Sequence, residues 1–203
     1  MVDNDCHRVV NEFPVVKAVN KAGFPAPDAL WLETGHPTLP GADFFVMRRS
    51  TGSVQGTVFG GSEPLSADLV TSLANTVGRL HKLRPLTELG NLNESIQTEL
   101  WTLPLDEVIR RYIAEYYAYF LKDRVSTVPS LAAVYKCLLA NVPPCHDRPV
   151  LVHGDLGLHN LLFENKSLKV VLDWEMAHIG DPMEDVAYIR NTANASLDWD
   201  AFV

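Results

Sequence analysis

His153-Gly154-Asp155-Leu156-Gly157-Leu158-His159-Asn160, followed downstream by Asp173-Trp174-Glu175, is the stretch that decides how this chain is read. Before it stands the short apolar run 150–152, which predicts a strand ending at the loop. After it come two more apolar runs, 161–163 and 168–172, joined by the polar turn Glu164-Asn165-Lys166-Ser167. That pair predicts a β-hairpin. Asp173 then closes the second strand. A loop carboxylate (Asp155), a loop amide (Asn160) and a strand-end carboxylate (Asp173) can converge on one point.

Phosphoryl transfer needs this set of groups, because the protein's work there is positioning and charge stabilisation. One carboxylate must orient an attacking hydroxyl and receive its proton. Mg²⁺ takes hard oxygen ligands and retains waters, so one carboxylate and one amide oxygen suffice beside nucleotide phosphates. Asp155 is then the candidate base, and Asn160 and Asp173 are the candidate Mg²⁺ ligands. The Asp-x₄-Asn spacing with a later Asp matches the layout of kinase catalytic loops. In the plain alternative, Asp155 and Asn160 only cap a turn and Asp173 only ends a strand.

Upstream, Val9, Val10, Phe13, Val16 and Val19 predict a helix over 7–22, with Pro14 bending it and Gly23 stopping it. The runs 29–33 and 44–48 predict paired strands joined by a turn over 35–43. The glycines of 50–62 read as a loop or linker and mark the domain boundary. Further helices are predicted from Ser66 or Asp68 to Leu83, over 105–122 and over 131–141. Leu69, Leu73, Val77 and Leu80 form the apolar face of the first. In the second, Tyr112, Ile113, Tyr116, Tyr119 and Phe120 read as core. Asp181-Pro182 opens a last helix, reaching Ile189.

The chain has 203 residues and a formal charge of −8. That length can bury a real core. The acidic balance argues against a nucleic-acid partner held by a basic face. No apolar run reaches the length needed to span a bilayer. Three cysteines (Cys6, Cys137, Cys145) without a CxxC pair read as free thiols in a reducing compartment. With no signal-peptide pattern at the N-terminus, these observations predict a cytoplasmic protein.

His153-Gly-Asp155, Asn160, Asp173-Trp-Glu175, Gly180-Asp181-Pro182 and Glu184-Asp185 together resemble the aminoglycoside phosphotransferase/choline kinase-like family. The wording is most similar to kinase-like domains associated with acyl-CoA dehydrogenases. Gly23-Phe-Pro25-Ala-Pro27, the run 44–47 and Leu80-His81 extend the resemblance. It implies an α+β, protein-kinase-like fold. Residues 1–49 would form a partial N-lobe and hinge, with a helix and short antiparallel strands. Residues 50–203 would form a mainly helical C-lobe with the catalytic-loop hairpin.

By the same resemblance, ATP and Mg²⁺ are the cofactors and a small hydroxylated molecule is the substrate. Glu12 would pair with a nucleotide-binding Lys. Met47, Arg48 and Arg49 would meet the adenine, and His153 would brace the catalytic loop. Asp181 and Asp185 would tie the last helix to that loop. His81, His159 and His178 read as packing or surface histidines.

The family's upstream phosphate loop and Lys have no counterpart before Glu12, nor do its late helices after 191. The chain thus reads as shortened at both ends. Two other readings stand beside the phosphotransferase: a non-catalytic, pseudokinase-like binding module, and a metal-dependent hydrolase built on His153, Asp155, His159 and Asp173.

Overall fold

Helix α1 (Val9–Lys21) buries Val15, Val16, Ala18 and Val19 and runs through Pro14. Its inner face rests on strands β1 (Ala29–Glu33) and β2 (Phe44–Met47), which hold the helix together across the proline. The Phe13 and Phe45 rings meet edge to face at 5.8 Å. The helix stops where Gly23 takes φ +78°. There the Phe24 N–H donates to the Val19 carbonyl at 3.0 Å, and the Gly23 N–H to that of Asn20 at 2.9 Å. This is a Schellman cap, which needs the left-handed conformation that glycine adopts at little cost. β1 and β2 pair antiparallel as predicted, with Glu33 opposite Phe44 and a bulge between Ala29 and Trp31.

The computed structural model describes residues 9–38, 42–57, 60–61, 63–83, 92, 96–122, 128–193 and 196–203. Cys6, part of the predicted 35–43 turn and part of the 50–62 segment lie outside them.

Within 50–62, the described residues of this loop make short pairings. β3 (Gly56–Thr57) pairs with β4 (Gly60–Gly61). Ser53 exchanges both backbone hydrogen bonds with Phe163, at 3.0 and 2.9 Å. Gly52 permits this approach: a Cβ there would sit 3.0 Å from the Phe163 carbonyl oxygen, and its φ of +128° is closed to most side chains.

Helix α2 (Ala67–Leu80) begins at Ser66, whose side chain makes no cap bond. Leu73, Val77 and Leu80 are buried as expected, but Val70 rather than Leu69 completes the face. A 3₁₀ turn over Thr98–Thr102, which the pattern reading missed, precedes α3 (Leu105–Lys122). α3 overturns a second expectation. Only Leu105 and Val108 are buried, so the tyrosines are not core. They pair with other rings instead: Tyr112 meets Tyr116 at a tilt, 4.7 Å between centroids, and Tyr117 stacks on Tyr135 at 5.4 Å. Tyr135 belongs to α4 (Pro129–Ala140), a helix with no buried residue, packed beside α3.

β5 (Val150–Val152) leads into the 153–160 loop and pairs antiparallel with β8 (His178–Gly180), a strand the sequence reading missed. Between them, β6 (Leu161–Glu164) and β7 (Ser167–Val171) form the expected hairpin. Asn165 and Lys166 take φ +51° and +62°, the two left-handed positions of a turn that suits strand twist. Helices α5 (Pro182–Ala193) and α6 (Trp199–Phe202) complete the described elements, α5 running past the predicted Ile189. α5 opens with a reciprocal cap. Asp181 Oδ1 accepts from the Met183 N–H at 2.9 Å, and Glu184 Oε1 from the Asp181 N–H at 3.3 Å.

Candidate active site

The loop after β5 is organised around one buried carboxylate. Asp185, fully inaccessible on α5, accepts the His153 N–H at 3.1 Å and the Gly154 N–H at 3.0 Å. His81, just past α2, donates Nε2–H to the same carboxylate at 3.0 Å. Burial pushes the Asp185 acid up, but the His81 side chain, the neighbouring His153 ring and the two backbone N–H groups outweigh it and hold it below the usual range. Gly154 lets the chain turn there. Its φ is +82°, and a Cβ would lie 2.7 Å from the Met176 carbonyl oxygen.

His153 is buried with both ring nitrogens engaged. Nε2 meets the Leu172 carbonyl at 2.9 Å, so it must donate. Nδ1 accepts the Asp155 N–H at 3.2 Å. That pair of bonds defines a neutral ring of one tautomer. Burial, the dominant effect, lowers its pKa in agreement. With both nitrogens used, His153 offers nothing to a metal, which removes a ligand from the hydrolase reading. Among the described residues, no group of three His, Cys, Asp or Glu side chains is placed to hold a metal ion.

Asp155 and Asn160 do come together. The Asn160 amide donates to Asp155 Oδ2 at 2.9 Å and to the Asp155 carbonyl at 3.0 Å. Its side-chain oxygen takes no part in those bonds. The Leu172 N–H donates to the Asn160 carbonyl at 2.8 Å, drawing the end of β7 against the loop. Asp173 follows with φ +63°, a strained conformation for a residue with a Cβ.

Trp174 locks this corner. It is buried, donates Nε1–H to the Val171 carbonyl at 2.9 Å, and meets Phe24 and His153 edge to face at 5.6 and 4.7 Å. Its backbone N–H donates to Glu12 Oε1 at 3.1 Å. The side chain expected to meet a Lys thus takes a backbone donor beside Asp173. Burial, then the Asp173 and Glu175 charges, raise the Glu12 pKa against the pull of that bond.

The predicted adenine segment is split. Met47 ends β2 and is exposed, as is Arg49. Arg48 has committed its N–H to the Asp28 carbonyl at 2.9 Å, and its guanidinium pairs with the Asp28 carboxylate at 3.1 Å. Asp181 corrects another expectation: its side chain caps α5, while Asp185 ties that helix to the loop.

Sequence reading missed Tyr188. The nearby Asp155 carboxylate above all, then burial and the Asp173 charge, pushes its phenol up to about 12. Its sequence signal was its place three residues after Asp185, on the same helical face. His159 also sits closer to the centre than expected, with Nε2 3.7 Å from Asp155 Oδ2.

A buried carboxylate bracing a loop that presents Asp155, with Asn160 and Asp173 beside it, belongs to a kinase-like phosphotransferase fold. Residues 5–203 match the phosphotransferase enzyme family, and the chain is a member of that family. It is 28% identical over 197 residues to acyl-CoA dehydrogenase family member 11 of Rattus norvegicus, covering 90% of this chain and 23% of that protein. The Gallus gallus counterpart is 29% identical over 191 residues, covering 91% and 23%.

Among solved structures, macrolide 2′-phosphotransferase MphH from Brachybacterium faecium superimposes with a TM-score of 0.65 at 20% identity, over 97% of this chain and 61% of that one. The aminoglycoside phosphotransferase APH(4)-Ia, in complex with ADP and hygromycin B, gives 0.61 at 19% identity, over 88% and 60%. The chain therefore spans under a quarter of the curated relatives it matches and about three fifths of these structures.

Proposed function

We propose that this chain carries the catalytic centre of an ATP-dependent phosphotransferase acting on a hydroxyl of a small molecule. The carrying observation is the Asp155–Asn160 pair, set beside Asp173 by the Leu172–Asn160 backbone bond. Asp155 orients the acceptor hydroxyl and takes its proton as that oxygen bonds the γ-phosphorus; the bond from the γ-phosphorus to the β,γ-bridging oxygen breaks, and ADP leaves. His153 and Asp185 hold the loop while this happens. Met47 and the backbone of 48–49 border the adenine, with the Arg48 carbonyl and the Arg49 N–H still to offer.

The donor set fits Mg²⁺. The Asn160 amide nitrogen faces Asp155, which turns the choice of ligand atom to Oδ1, and Asp173 supplies a carboxylate oxygen; both are hard donors. Bound there, the ion would neutralise charge building on the transferring phosphoryl group. A solved relative of this fold holds ADP with hygromycin B, and another, APH(2″)-IIa, holds ATP with streptomycin, which supports a nucleotide here.

Calorimetry with MgATP, followed by a phosphorylation screen over hydroxylated small molecules, tests the reading. Binding with transfer that Asp155→Ala abolishes is expected; transfer undiminished in Asp155→Ala would sink it. The Glu12–Trp174 bond favours a second reading, a nucleotide-binding module without turnover, because it occupies the carboxylate expected to position a Lys. Micromolar MgATP binding with no transfer to any acceptor or to water would select it.

A further inference from the structure

The loop that carries Asp155 hangs from a carboxylate that is itself held in place. Asp185 Oδ1 takes the Gly154 N–H at 3.0 Å, while Oδ2 takes the His153 N–H at 3.1 Å and the His81 Nε2–H at 3.0 Å. Asp185 is fully buried, and the His81 side chain is largely buried beside it. His81 stands on a firm support. It keeps helical dihedrals just past α2, its N–H bonds the Val77 carbonyl at 3.0 Å, and Val77 and Leu80 before it are buried. From Asp185 the bonds run on to both halves of the candidate site. His153 Nδ1 accepts the Asp155 N–H, and its Nε2–H donates to the Leu172 carbonyl, next to Asp173.

We propose that His81 is a positioning residue for the phosphoryl-transfer step, fixing through Asp185 the loop that presents Asp155. The inference rests on the phosphotransferase reading above. The terminal torsion of an Asp side chain is broad, so its donors decide how the carboxylate sits. The His153 and Gly154 amides move with the loop and cannot hold Asp185 against it. His81 donates from another element, 104 positions away in the chain, and gives the carboxylate a fixed reference. Small misplacements of a reacting group are costly in rate, so a loop free to shift would present Asp155 poorly.

The test uses the full chain with MgATP and water as the acceptor, read as ADP release. His81→Leu removes the donor and keeps an apolar side chain in its place. It is expected to lower kcat about tenfold, the loss of one hydrogen bond to a charged group. His81→Gln, whose amide donates from about the position of Nε2, is expected to recover most of that rate. His81→Asn, one methylene shorter, draws the same amide back from Oδ2 and is expected to behave as His81→Leu. Calorimetric affinity for MgATP is expected to stay as in the wild type in all three. Independently of turnover, NMR-detected amide hydrogen exchange at His153 and Gly154 is expected to quicken about tenfold in His81→Leu, while the β6–β7 hairpin amides keep their rates.

An unchanged kcat in His81→Leu, a His81→Gln variant as slow as the Leu variant, a rate loss matched by weaker MgATP binding, or exchange that quickens equally in the hairpin overturns the positioning role. A wild-type chain that neither binds nor turns over MgATP overturns the phosphotransferase reading itself. The amide exchange separates the two failures, because it reads the hold of His81 and Asp185 on the loop without turnover.

Discussion

The backbone N–H of Trp174 donates to Glu12 Oε1 at 3.1 Å, joining groups 162 positions apart in the chain. The bond fastens α1 to the residue after Asp173, so the N-terminal helix bears directly on the candidate metal ligand. It also places three carboxylates, Glu12, Asp173 and Glu175, within each other's field. A raised carboxyl pKa in the folded state means the charged form is disfavoured there. Glu12 therefore costs stability at neutral pH, and the cost is relieved as pH falls through its raised value. Glu12→Gln keeps the acceptor oxygen and removes the charge, so chemical denaturation at pH 7 is expected to show no loss of stability. Glu12→Ala leaves the Trp174 N–H without that acceptor and should cost about 1–3 kcal/mol.

Asp185 supports a larger prediction. Removing it strands the His153 and Gly154 N–H groups and the His81 ring inside the protein. Asp185→Ala should destabilise by about 3–5 kcal/mol, as for breaking a buried charged network from one side. Asp185→Asn, which keeps one acceptor oxygen, should lose less. Urea denaturation of the two variants gives the comparison.

Two histidines pull the pH dependence of stability in opposite directions. His178 sits between two acceptors, the Met176 carbonyl at 2.9 Å and the Glu184 carboxylate at 3.2 Å, with Tyr112 stacked on its face at 4.8 Å. Burial pulls its pKa down, but Glu184, then Met176 and Asp185, win and raise it above 6.5. Its stabilisation is full below 6.5 and disappears as pH rises through the higher folded value. His153, buried neutral with a lowered pKa, does the reverse: stability falls as pH drops below 6.5, because the unfolded chain takes up the proton first. Denaturation midpoints across pH 5–8 should show the alkaline decline weakened in Glu184→Gln while the acid decline persists.

Gly157 is pressed by the groups around Asp155. A Cβ there would stand 2.4 Å from His159 Cε1 and 3.2 Å from Tyr188 Cε1. Gly157→Ala should therefore cost about 1–3 kcal/mol through overpacking. Differential scanning calorimetry reads the loss.

The β6–β7 hairpin, its turn, the Gly23 helix stop and the opening of α5 were legible in the chain because local chemistry specifies them. Glycine tolerates the left-handed cap, a proline fits the first helical position, and short apolar runs joined by a polar turn make a paired hairpin. The pairing of Asp155 with Asn160 was legible for the same reason, since both lie within one short loop. The 3₁₀ turn and β8 were not, because neither has a period long enough to read. The apolar pattern of α3 was misread as core, since periodicity shows that a face is sticky and not what it meets.

By itself, then, the sequence determined which elements form, and which residues of a kinase-like loop they carry. Tertiary structure decided the partners: Asp185 for the loop amides, Trp174 for Glu12, and Ser53 for Phe163. Each of those bonds joins elements far apart in the chain. A side chain's type records what it can donate or accept, while packing alone settles which distant group arrives at hydrogen-bonding distance.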